Sequence, residues 1–273
     1  MILVNGDSKD VIPADDRGLA YGDGLFETIQ IERGRPVLWK RHMQRLQAAC
    51  EVLGMGRIDS DILLRECLSI SLDQERGVVK IIITRGSGGR GYRPDSEWQP
   101  RRILSFHAWP DFPETNVSKG IRLFLCSTPV SSNARLAGLK TLCRLEQVLA
   151  TMEWDESQYS EGLMLDDKGQ VIEGTRSNIF LVKDGVLITP VLEASGIKGI
   201  MRDVIVELAH EAGITVQERN IDRKELLDAD EIFVSNSIIK LWPVREYQEK
   251  DYNSRMITGR IMQLLEQHLS DYE

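Results

Sequence analysis

Lys140 is the residue best suited by its surroundings to act as a covalent nucleophile or as a base. It lies in the segment LAGLKTLCRLEQV, where Leu136, Ala137, Leu139 and Leu142 are apolar, and lysine normally avoids such surroundings. Loss of water lowers the pKa of an ammonium group and frees the amine for nucleophilic or basic chemistry. The alternative is a lysine whose stem follows the apolar segment while its head reaches water, and on this feature alone that role is the more frequent one.

An acidic residue and a glycine-rich helix start form a second group of candidates. Glu173, in VIEGTRSNIF, ends an apolar strand, and its carboxylate suits a charge-assisted hydrogen bond to a ring nitrogen or a cation. A strand-end glutamate that faces water is the commoner situation. Gly196 and Gly199 precede a helical pattern in SGIKGIMRDVI, and backbone N–H groups at a helix start suit a phosphate. The segment VSNS at 234–237 adds hydroxyl donors at a strand end.

Arginines supply the remaining candidates, all of them for anions. Arg41 and Arg45 are four residues apart, so they share one face of a predicted helix and suit either an anion or water. The loop RGSGGRGY contains Arg85, Arg90 and Tyr92, and guanidinium groups suit a carboxylate. The same loop resembles the arginine-glycine segments of RNA-binding chains, but a single copy in an acidic protein argues against that use.

The elements that must position these residues alternate between strands and helices. Apolar residues from Trp39 to Leu53 have helical spacing, and Gly54 follows at the position of a C-terminal cap. The run VVKIIIT at 78–84 is typical of a buried strand. Lys140 is expected at the start of a helix whose apolar positions continue to Met152. Further strands are predicted at 26–32, 102–108, 121–128, 162–165, 171–173, 178–182, 186–189 and 231–234, and further helices at 200–212 and 255–269.

The length and one break in the pattern predict two domains. A chain of 273 residues corresponds to one large or two modest domains. Residues 109–120, WPDFPETNVSKG, contain two prolines and few aliphatic side chains, so they are predicted as a linker. We expect a smaller N-terminal α/β domain over 1–108 and a larger C-terminal domain over 121–273 that carries the lysine. Strands joined by hairpin turns, with interspersed helices, favour an α+β fold.

Composition and charge exclude several classes of protein. With 42% apolar and 28% charged residues, the chain is expected to be globular rather than disordered or fibrous. The net charge of −8 disfavours nucleic-acid phosphates and anionic membranes, and no run approaches the ~20 apolar residues that span a bilayer. The dispersed four cysteines and four histidines indicate neither a disulfide framework nor a metal site. The start of the chain shows no targeting pattern, so a cytoplasmic protein is expected.

Five segments, taken together and in order, resemble those of one family. YGDGLFET, KRHMQRL, LKTLCRLEQVLA, VIEGTRSNIF and GIKGIMRD follow one another over almost the whole chain. In this order they specifically resemble the fold-type IV pyridoxal-phosphate enzymes. This group includes the branched-chain and D-amino-acid aminotransferases. Within the group, RGSGGRGY and the LAGLK and RLEQV block most resemble the aminodeoxychorismate lyases. The chain departs from the family at Cys143, where the family often has asparagine.

The resemblance implies a role for each matching residue. Lys140 would bind the cofactor, pyridoxal 5′-phosphate, covalently and would also move the substrate proton. Glu173 would pair with the pyridine nitrogen of the cofactor. The phosphate of the cofactor would be bound by Arg45, by the backbone of Gly199, Ile200 and Met201, and by the Ser237 hydroxyl. Arg90, with Tyr92 nearby, would bind a substrate carboxylate. Phe26 and Thr28 would line the substrate side.

The implied activity is a lyase reaction that converts 4-amino-4-deoxychorismate to 4-aminobenzoate and pyruvate in folate biosynthesis. The alternative is an aminotransferase of the D-amino-acid or branched-chain type, which would share the cofactor and Lys140. A third hypothesis is a non-catalytic module that binds RNA through RGSGGRGYR, and the combination of Lys140, Glu173 and Arg45 argues against it. The resemblance also implies a homodimer that acts on a small molecule, with no nucleic acid, membrane or metal as partner.

Overall fold

The structure is a computed structural model that describes residues 1–270. Within this range the chain divides into two compact units. Unit 1 contains Met1–Pro110 and Leu139–Cys143, and unit 2 contains Asp111–Gly138 and the residues from Arg144 onward. Both units combine helices with a sheet, and the predicted α+β class is therefore confirmed.

Unit 1 is built on one antiparallel sheet. Its strands are β1 (Ile2–Val4), β2 (Asp7–Ser8), β3 (Gly24–Glu32), β4 (Arg35–Pro36), β5 (Arg76–Thr84) and β6 (Arg101–Ala108), and its helices are α1 (Arg17–Tyr21), α2 (Trp39–Val52) and α3 (Ser60–Ser71). The strand order is β2-β1-β6-β5-β3-β4. β3 pairs with β5 along its whole length, from Gly24 opposite Thr84 to Glu32 opposite Arg76. This ladder fixes which side chains of the two strands share a face.

The core of unit 1 lies between this sheet and the two longer helices. Leu46 of α2 and Leu63 of α3 are buried in one cluster with Ile29 and Ile81 of the sheet. α2 confirms the predicted helix, and Gly54 follows it with a positive φ of 63°. α3 has no counterpart in the sequence prediction, although Asp59 is a helix-start residue: its carboxylate accepts hydrogen bonds from two backbone N–H groups of the first turn.

Unit 2 contains a larger mixed sheet. Its strands are β7 (Ile121–Leu125), β8 (Glu161–Leu165), β9 (Val171–Gly174), β10 (Asn178–Lys183), β11 (Val186–Pro190), β12 (Val216–Arg219), β13 (Glu231–Asn236), β14 (Lys240–Tyr247) and β15 (Lys250–Asp251). Its helices are α4 (Thr115–Ser118), α5 (Leu145–Thr151), α6 (Ile200–Glu211), α7 (Arg223–Asp228) and α8 (Met256–Leu269). The order is β12-β11-β10-β13-β14-β7-β8-β9, with β15 paired to β14. β7 pairs in parallel with both of its neighbours.

The sequence analysis missed β14, which lies in the middle of this sheet. The strand contains Pro243, which lacks an N–H donor, and proline normally argues against a central strand. Here Pro243 lies opposite Phe233 on β13, and the register on the other side shifts between Val244 and Glu246. The irregular pairing accommodates the proline within an otherwise continuous sheet.

Residues 109–120 are divided between the two units, and the predicted domain limits stay a prediction. Trp109 and Pro110 group with unit 1, while the rest of the segment groups with unit 2 and includes α4. The ring of Phe112 packs edge-on against Trp242, with the centroids 4.9 Å apart. The guanidinium of Arg255 donates to the carbonyls of Val117 and Ser118 at 3.4 and 2.8 Å, and to that of Lys119.

The C-terminal helix α8 begins at a buried carboxylate from another element. Glu231, at the start of β13, is almost fully buried and accepts hydrogen bonds from the N–H groups of Met256, Ile257 and Thr258 at 2.7, 3.1 and 2.8 Å. Burial opposes ionisation, but the hydrogen bonds outweigh it and lower the pKa of Glu231. A carboxylate at a helix N-terminus also interacts favourably with the helix dipole. Glu231 therefore fixes α8 to the sheet.

α2 and α8, the longest helices within residues 1–270, have 14 residues each. At 1.5 Å per residue such a helix is about 21 Å long, less than the ~30 Å of a hydrocarbon core. No helix in this range is long and apolar enough to cross a bilayer.

The substitution Glu231→Gln tests the attachment of α8. The amide keeps the shape of the side chain but has only one acceptor oxygen. We therefore expect the free energy of unfolding to fall by about 1–3 kcal/mol. Hydrogen exchange at residues 256–258 should accelerate. Thermal unfolding and exchange followed by mass spectrometry measure both effects. Glu266→Gln, at an exposed position of the same helix, is the control and should change stability by less than about 0.5 kcal/mol. An equal effect of both substitutions would contradict the assignment.

Candidate active site

Lys140 lies on a short extended segment that pairs with the start of β3. The N–H of Phe26 donates to the carbonyl of Lys140 at 3.0 Å, and the N–H of Leu142 donates to the carbonyl of Gly24 at 3.0 Å. Leu25 and Thr141 form an antiparallel bridge between these two bonds. The prediction that Lys140 starts a helix is therefore wrong: α5 begins only at Leu145, because the backbone groups before it are used by β3. This pairing also groups Lys140 with unit 1.

The ring of Phe26 lies beside two ammonium groups. The Lys140 Nζ is 4.3 Å from the ring centroid, and the Lys80 Nζ is 5.2 Å from it. Lys80 comes from β5, where it lies directly opposite Thr28. An aromatic face attracts a cation at this distance. Unit 1 thus brings Lys140 and Lys80 to the Phe26 ring, and Thr28 lies opposite Lys80. The sequence analysis did not select Lys80.

A buried charged cluster attaches β3 to α2. The Glu27 carboxylate accepts from Arg45 Nε and Nη2 at 2.8 and 2.6 Å, and it lies 2.7 Å from His42 Nδ1. Burial alone would raise the pKa of Glu27, but the Arg45 charge and the His42 hydrogen bond outweigh it and lower the pKa to about 2. Burial lowers the pKa of His42, so the neutral ring donates to the carboxylate. Arg45, the predicted phosphate ligand, therefore has its guanidinium fixed by Glu27.

Glu27 and His42 were not among the sequence candidates. A signal was available, because Glu27 lies in the apolar strand GLFETIQIE, where a charged residue needs a partner if its side chain faces the core. The identity of that partner was not available. His42 and Arg45 lie 15 and 18 residues further on, and the turn of α2 brings them to the carboxylate.

Glu173 lies at the end of β9 in unit 2 and is buried. Its Oε2 accepts a hydrogen bond from the backbone N–H of Ile197 at 2.7 Å. This hydrogen bond orients the carboxylate. Gly196 is required beside it: a Cβ at this position would lie 2.8 Å from Ile172 and 3.3 Å from Glu173 Oε2, and its φ of 81° favours glycine.

The start of α6 lies at the same corner of the unit 2 sheet as the end of β13. A Cβ on Gly199 would lie 1.9 Å from Asn178 Oδ1, so only glycine allows the helix start to approach β10 this closely. Asn178 is paired with Ser235, and Ser237 follows two residues later. No side chain caps Gly199 within the described residues, and the N–H groups of Ile200 and Met201 belong to the first turn. These are the features of a phosphate site at a helix N-terminus.

Arg90 and Tyr92 lie on the long loop 85–100 between β5 and β6, and both are exposed. The Tyr92 ring packs edge-on against Tyr21 with centroids 5.6 Å apart. The structure thus places the predicted residues in two groups. Unit 1 holds Lys140, Arg45, Phe26, Thr28, Arg90 and Tyr92, and unit 2 holds Glu173, Gly199, Ile200, Met201 and Ser237. Their assignment as site residues stays a prediction.

A comparison with protein families places this geometry in a known group. The family described as amino-transferase class IV matches residues 24–247. The chain belongs to this family. The match includes Phe26, Lys140, Glu173 and the start of α6, and it confirms the family that the sequence motifs indicated.

Individual relatives cover the chain from end to end. It is 33% identical over 270 residues to an aminodeoxychorismate lyase of Vibrio harveyi, with 99% of this chain and 100% of the relative covered. The crystal structure of the 4-amino-4-deoxychorismate lyase from Pseudomonas aeruginosa is 42% identical, with a TM-score of 0.95 and coverage of 98% and 99%. The Escherichia coli branched-chain amino acid aminotransferase structure is 27% identical, with a TM-score of 0.88 and coverage of 99% and 95%.

The residues present fit the family cofactor, pyridoxal 5′-phosphate. The approach of α6 to β10 that Gly199 allows leaves backbone donors at a helix N-terminus, which suit the phosphate. The Ser235 hydroxyl at this corner is fully buried and has no hydrogen-bond partner among the described residues. Buried Glu173 suits a protonated ring nitrogen, and the Lys140 amine suits a covalent attachment.

The substitution Glu27→Gln tests the charged cluster through the pH dependence of stability. One pKa unit corresponds to about 1.4 kcal/mol, so the lowered pKa of about 2 for the buried Glu27 contributes about 3 kcal/mol. Because the unfolded carboxyl binds protons first, this contribution is present above pH 5 and is lost as the pH falls towards 2. We expect the variant to be about 3 kcal/mol less stable at pH 7, with a difference that narrows in acid.

Urea-induced unfolding followed by circular dichroism from pH 7 to pH 3 measures this difference. Glu75→Gln removes an exposed carboxylate of the same unit and should follow the wild-type curve at every pH. A gap between Glu27→Gln and wild type that stays constant with pH would show that the Glu27 charge does not carry the effect.

Proposed function

We propose that the protein is a pyridoxal-phosphate-dependent lyase that converts 4-amino-4-deoxychorismate to 4-aminobenzoate and pyruvate, a step of folate biosynthesis. The observation that carries the proposal is the end-to-end likeness to two lyases, at 33% and 42% identity. The branched-chain aminotransferase structure reaches 27% over a similar share of the chain. The arrangement of Lys140 beside the Phe26 ring agrees with a lysine that acts on a bound small molecule.

Lys140 and Glu173 carry the central roles. The cofactor, when bound, accepts the electron pair that remains on the amine-bearing carbon of the substrate after its proton leaves. The Lys140 amine holds the cofactor in the resting enzyme and then removes that proton. The Glu173 carboxylate keeps a proton on the pyridine nitrogen, and the Ile197 N–H at 2.7 Å orients the carboxylate for this task. The bond between the adjacent ring carbon and the ether oxygen then breaks, so that enolpyruvate leaves and the ring becomes aromatic. The released enolpyruvate takes up a proton on its terminal carbon and becomes pyruvate.

The proposed phosphate ligands are one guanidinium group and several uncharged donors. Arg45 supplies a guanidinium that Glu27 fixes from the side of the sheet. The backbone N–H groups at Gly199, Ile200 and Met201 and the Ser237 hydroxyl supply uncharged donors. A phosphate held by preorganised donors costs little reorganisation when it binds.

The substrate has two carboxylates, and the chain supplies cations for them. Arg90 has a guanidinium fork that can bind a carboxylate through two hydrogen bonds, and Tyr92 lies two residues away on the same loop. Phe26 and Thr28 line the substrate side next to Lys140. Lys80, whose ammonium group lies 5.2 Å from the Phe26 ring centroid, adds a positive charge at this place.

We propose further that the enzyme is a cytoplasmic homodimer. α5 supports the dimer, since Leu145, Val148, Leu149 and Met152 are exposed and have the spacing of one helix face. An apolar helix face of this kind is typical of a protein–protein interface. A second copy of the chain is the partner that the family implies.

A branched-chain aminotransferase is the second candidate function. The Escherichia coli branched-chain aminotransferase is 30% identical over 241 residues, which is 83% of this chain and 77% of that enzyme. Lys140 and Glu173 would serve both reactions, because both begin with removal of the same kind of proton. The two differ in where the proton goes and in the second substrate.

The substitution Lys140→Ala tests the role of the lysine. We expect no covalent attachment of the cofactor after borohydride reduction and a loss of turnover of at least about 100-fold, the usual contribution of a positioned base. Peptide mass spectrometry of the reduced protein measures the attachment. Lys119→Ala, at an exposed lysine, should keep both properties. A cofactor that remains trapped on another lysine of the Lys140→Ala variant would assign the role to that lysine.

The reaction itself is tested by product release. The purified protein, saturated with pyridoxal 5′-phosphate, is mixed with 4-amino-4-deoxychorismate while 4-aminobenzoate fluorescence and pyruvate are followed together. We expect both products in equal amounts and an unchanged cofactor absorbance after many turnovers. If neither product forms, while a branched-chain amino acid or D-alanine bleaches the cofactor band, the aminotransferase function replaces the lyase.

A further inference from the structure

A buried arginine from outside the long loop 85–100 holds the backbone of that loop. Arg17, at the start of α1, donates from Nη1 to the Gly91 carbonyl at 3.0 Å and from Nη2 to the Tyr92 carbonyl at 2.8 Å. Its side chain is only 4% exposed. The two carbonyls belong to the residues that directly follow Arg90. One guanidinium group therefore holds the backbone of the part of the loop that carries Arg90 and Tyr92.

Asp23 determines the direction in which this guanidinium points. Arg17 Nε donates to Asp23 Oδ2 at 2.9 Å, and Arg85 donates to both carboxylate oxygens at 2.7 and 3.0 Å. With one edge of Arg17 directed to Asp23, its outer N–H groups face the loop carbonyls. Arg85 directs a further N–H to the Leu53 carbonyl at 2.8 Å. Arg17 and Arg85 thus share the Asp23 carboxylate, and backbone carbonyls accept further hydrogen bonds from both guanidinium groups. Charges that would be costly to leave unpaired are satisfied in this way.

Other contacts hold the loop at its first residues and at Tyr92. The N–H of Arg17 donates to the Gly86 carbonyl at 2.9 Å, and Asp16 forms an antiparallel bridge with Ser87. The Arg17 guanidinium lies 4.9 Å from the centroid of the Tyr21 ring, and Tyr21 in turn packs against Tyr92. The loop is therefore fixed at its root by backbone bonds and near its exposed tip by Arg17.

We propose that Arg17 is a positioning residue: it fixes the loop backbone at Gly91 and Tyr92, and so presents Arg90 and Tyr92 to the anionic substrate. The functional part of this inference rests on the proposed lyase reaction, whereas the anchoring of the loop rests on the geometry alone. Lysine is not an equivalent residue, because its single ammonium nitrogen lacks the planar fork that reaches Asp23 and two carbonyls at once.

The sequence of the loop provides a selective readout of its anchoring. Trypsin does not cut before proline, so Arg93, which precedes Pro94, is resistant, and Arg85 is buried. The exposed tryptic site of the loop is therefore the bond between Arg90 and Gly91. Chymotrypsin, which cleaves after aromatic residues, tests the same part of the loop at Tyr92, which is 87% exposed. Cleavage of a native protein follows the population of the opened state when opening is fast.

The experiment compares Arg17→Lys and Arg17→Gln with wild type, each saturated with pyridoxal 5′-phosphate. We expect cleavage after Arg90, identified by the masses of the two fragments, to be at least tenfold faster in both variants. For the lyase reaction we expect a KM at least tenfold higher, a kcat within threefold of wild type and an unchanged cofactor affinity. Arg33→Gln, at an exposed arginine of the same unit, is the control and should match wild type in all measurements.

The outcomes distinguish a failure of the loop anchoring from a failure of the proposed lyase function. Wild-type rates of cleavage in both Arg17 variants would overturn the anchoring, even if the variants melt at a lower temperature, because a general loss of stability does not select one loop. If Arg17→Gln fails to fold, Arg17→Lys, which keeps the charge beside Asp23, decides the question. A wild-type protein that releases no 4-aminobenzoate contradicts the proposed function, and the cleavage rates then still support or overturn the anchoring of the loop.

Discussion

The backbone pairing between residues 139–143 and the first residues of β3 is the interaction that positions Lys140 in unit 1. Two hydrogen bonds of 3.0 Å hold this segment: the N–H of Phe26 donates to the carbonyl of Lys140, and the N–H of Leu142 donates to the carbonyl of Gly24. β3 is itself paired with β5 over nine residue pairs, so this edge is rigid. The position of Lys140 is therefore set by its main chain, and its side chain lies beside the Phe26 ring.

Because side chains alternate along β3, the residues beside Lys140 and the buried residues lie on opposite faces of the strand. Successive residues of a strand point to opposite faces. Phe26 and Thr28 are half-buried and share the face on which Lys140 and Lys80 lie, whereas Leu25, Glu27 and Ile29 are buried. Through Glu27, the buried face also reaches His42 and Arg45 of α2. One strand thus carries the proposed substrate side on one face and, on the other, the support of Arg45, the proposed phosphate ligand.

Unit 1 twice uses a carboxylate with two basic partners, at the buried Glu27 and at the half-buried Asp23. An unpaired buried charge is costly, so such clusters favour one arrangement over its alternatives. Unit 2 relies instead on backbone donors and on close approaches that glycine allows, at Gly196 and Gly199.

The sequence by itself determined the family through the resemblance of its ordered motifs. It determined the α+β class, α2, α6, α8 and most strands because apolar periodicity and glycine positions act over short distances. It also selected Lys140 and Glu173 from their apolar surroundings. It missed α3 and β14, and it placed Lys140 on a helix. Only the tertiary structure decided that Lys140 pairs with β3, that Glu27 meets His42 and Arg45, and that Arg17 holds the loop carbonyls. These contacts join residues up to 116 positions apart, such as Leu25 and Thr141, and no local pattern encodes which partner a strand edge or a buried charge will find.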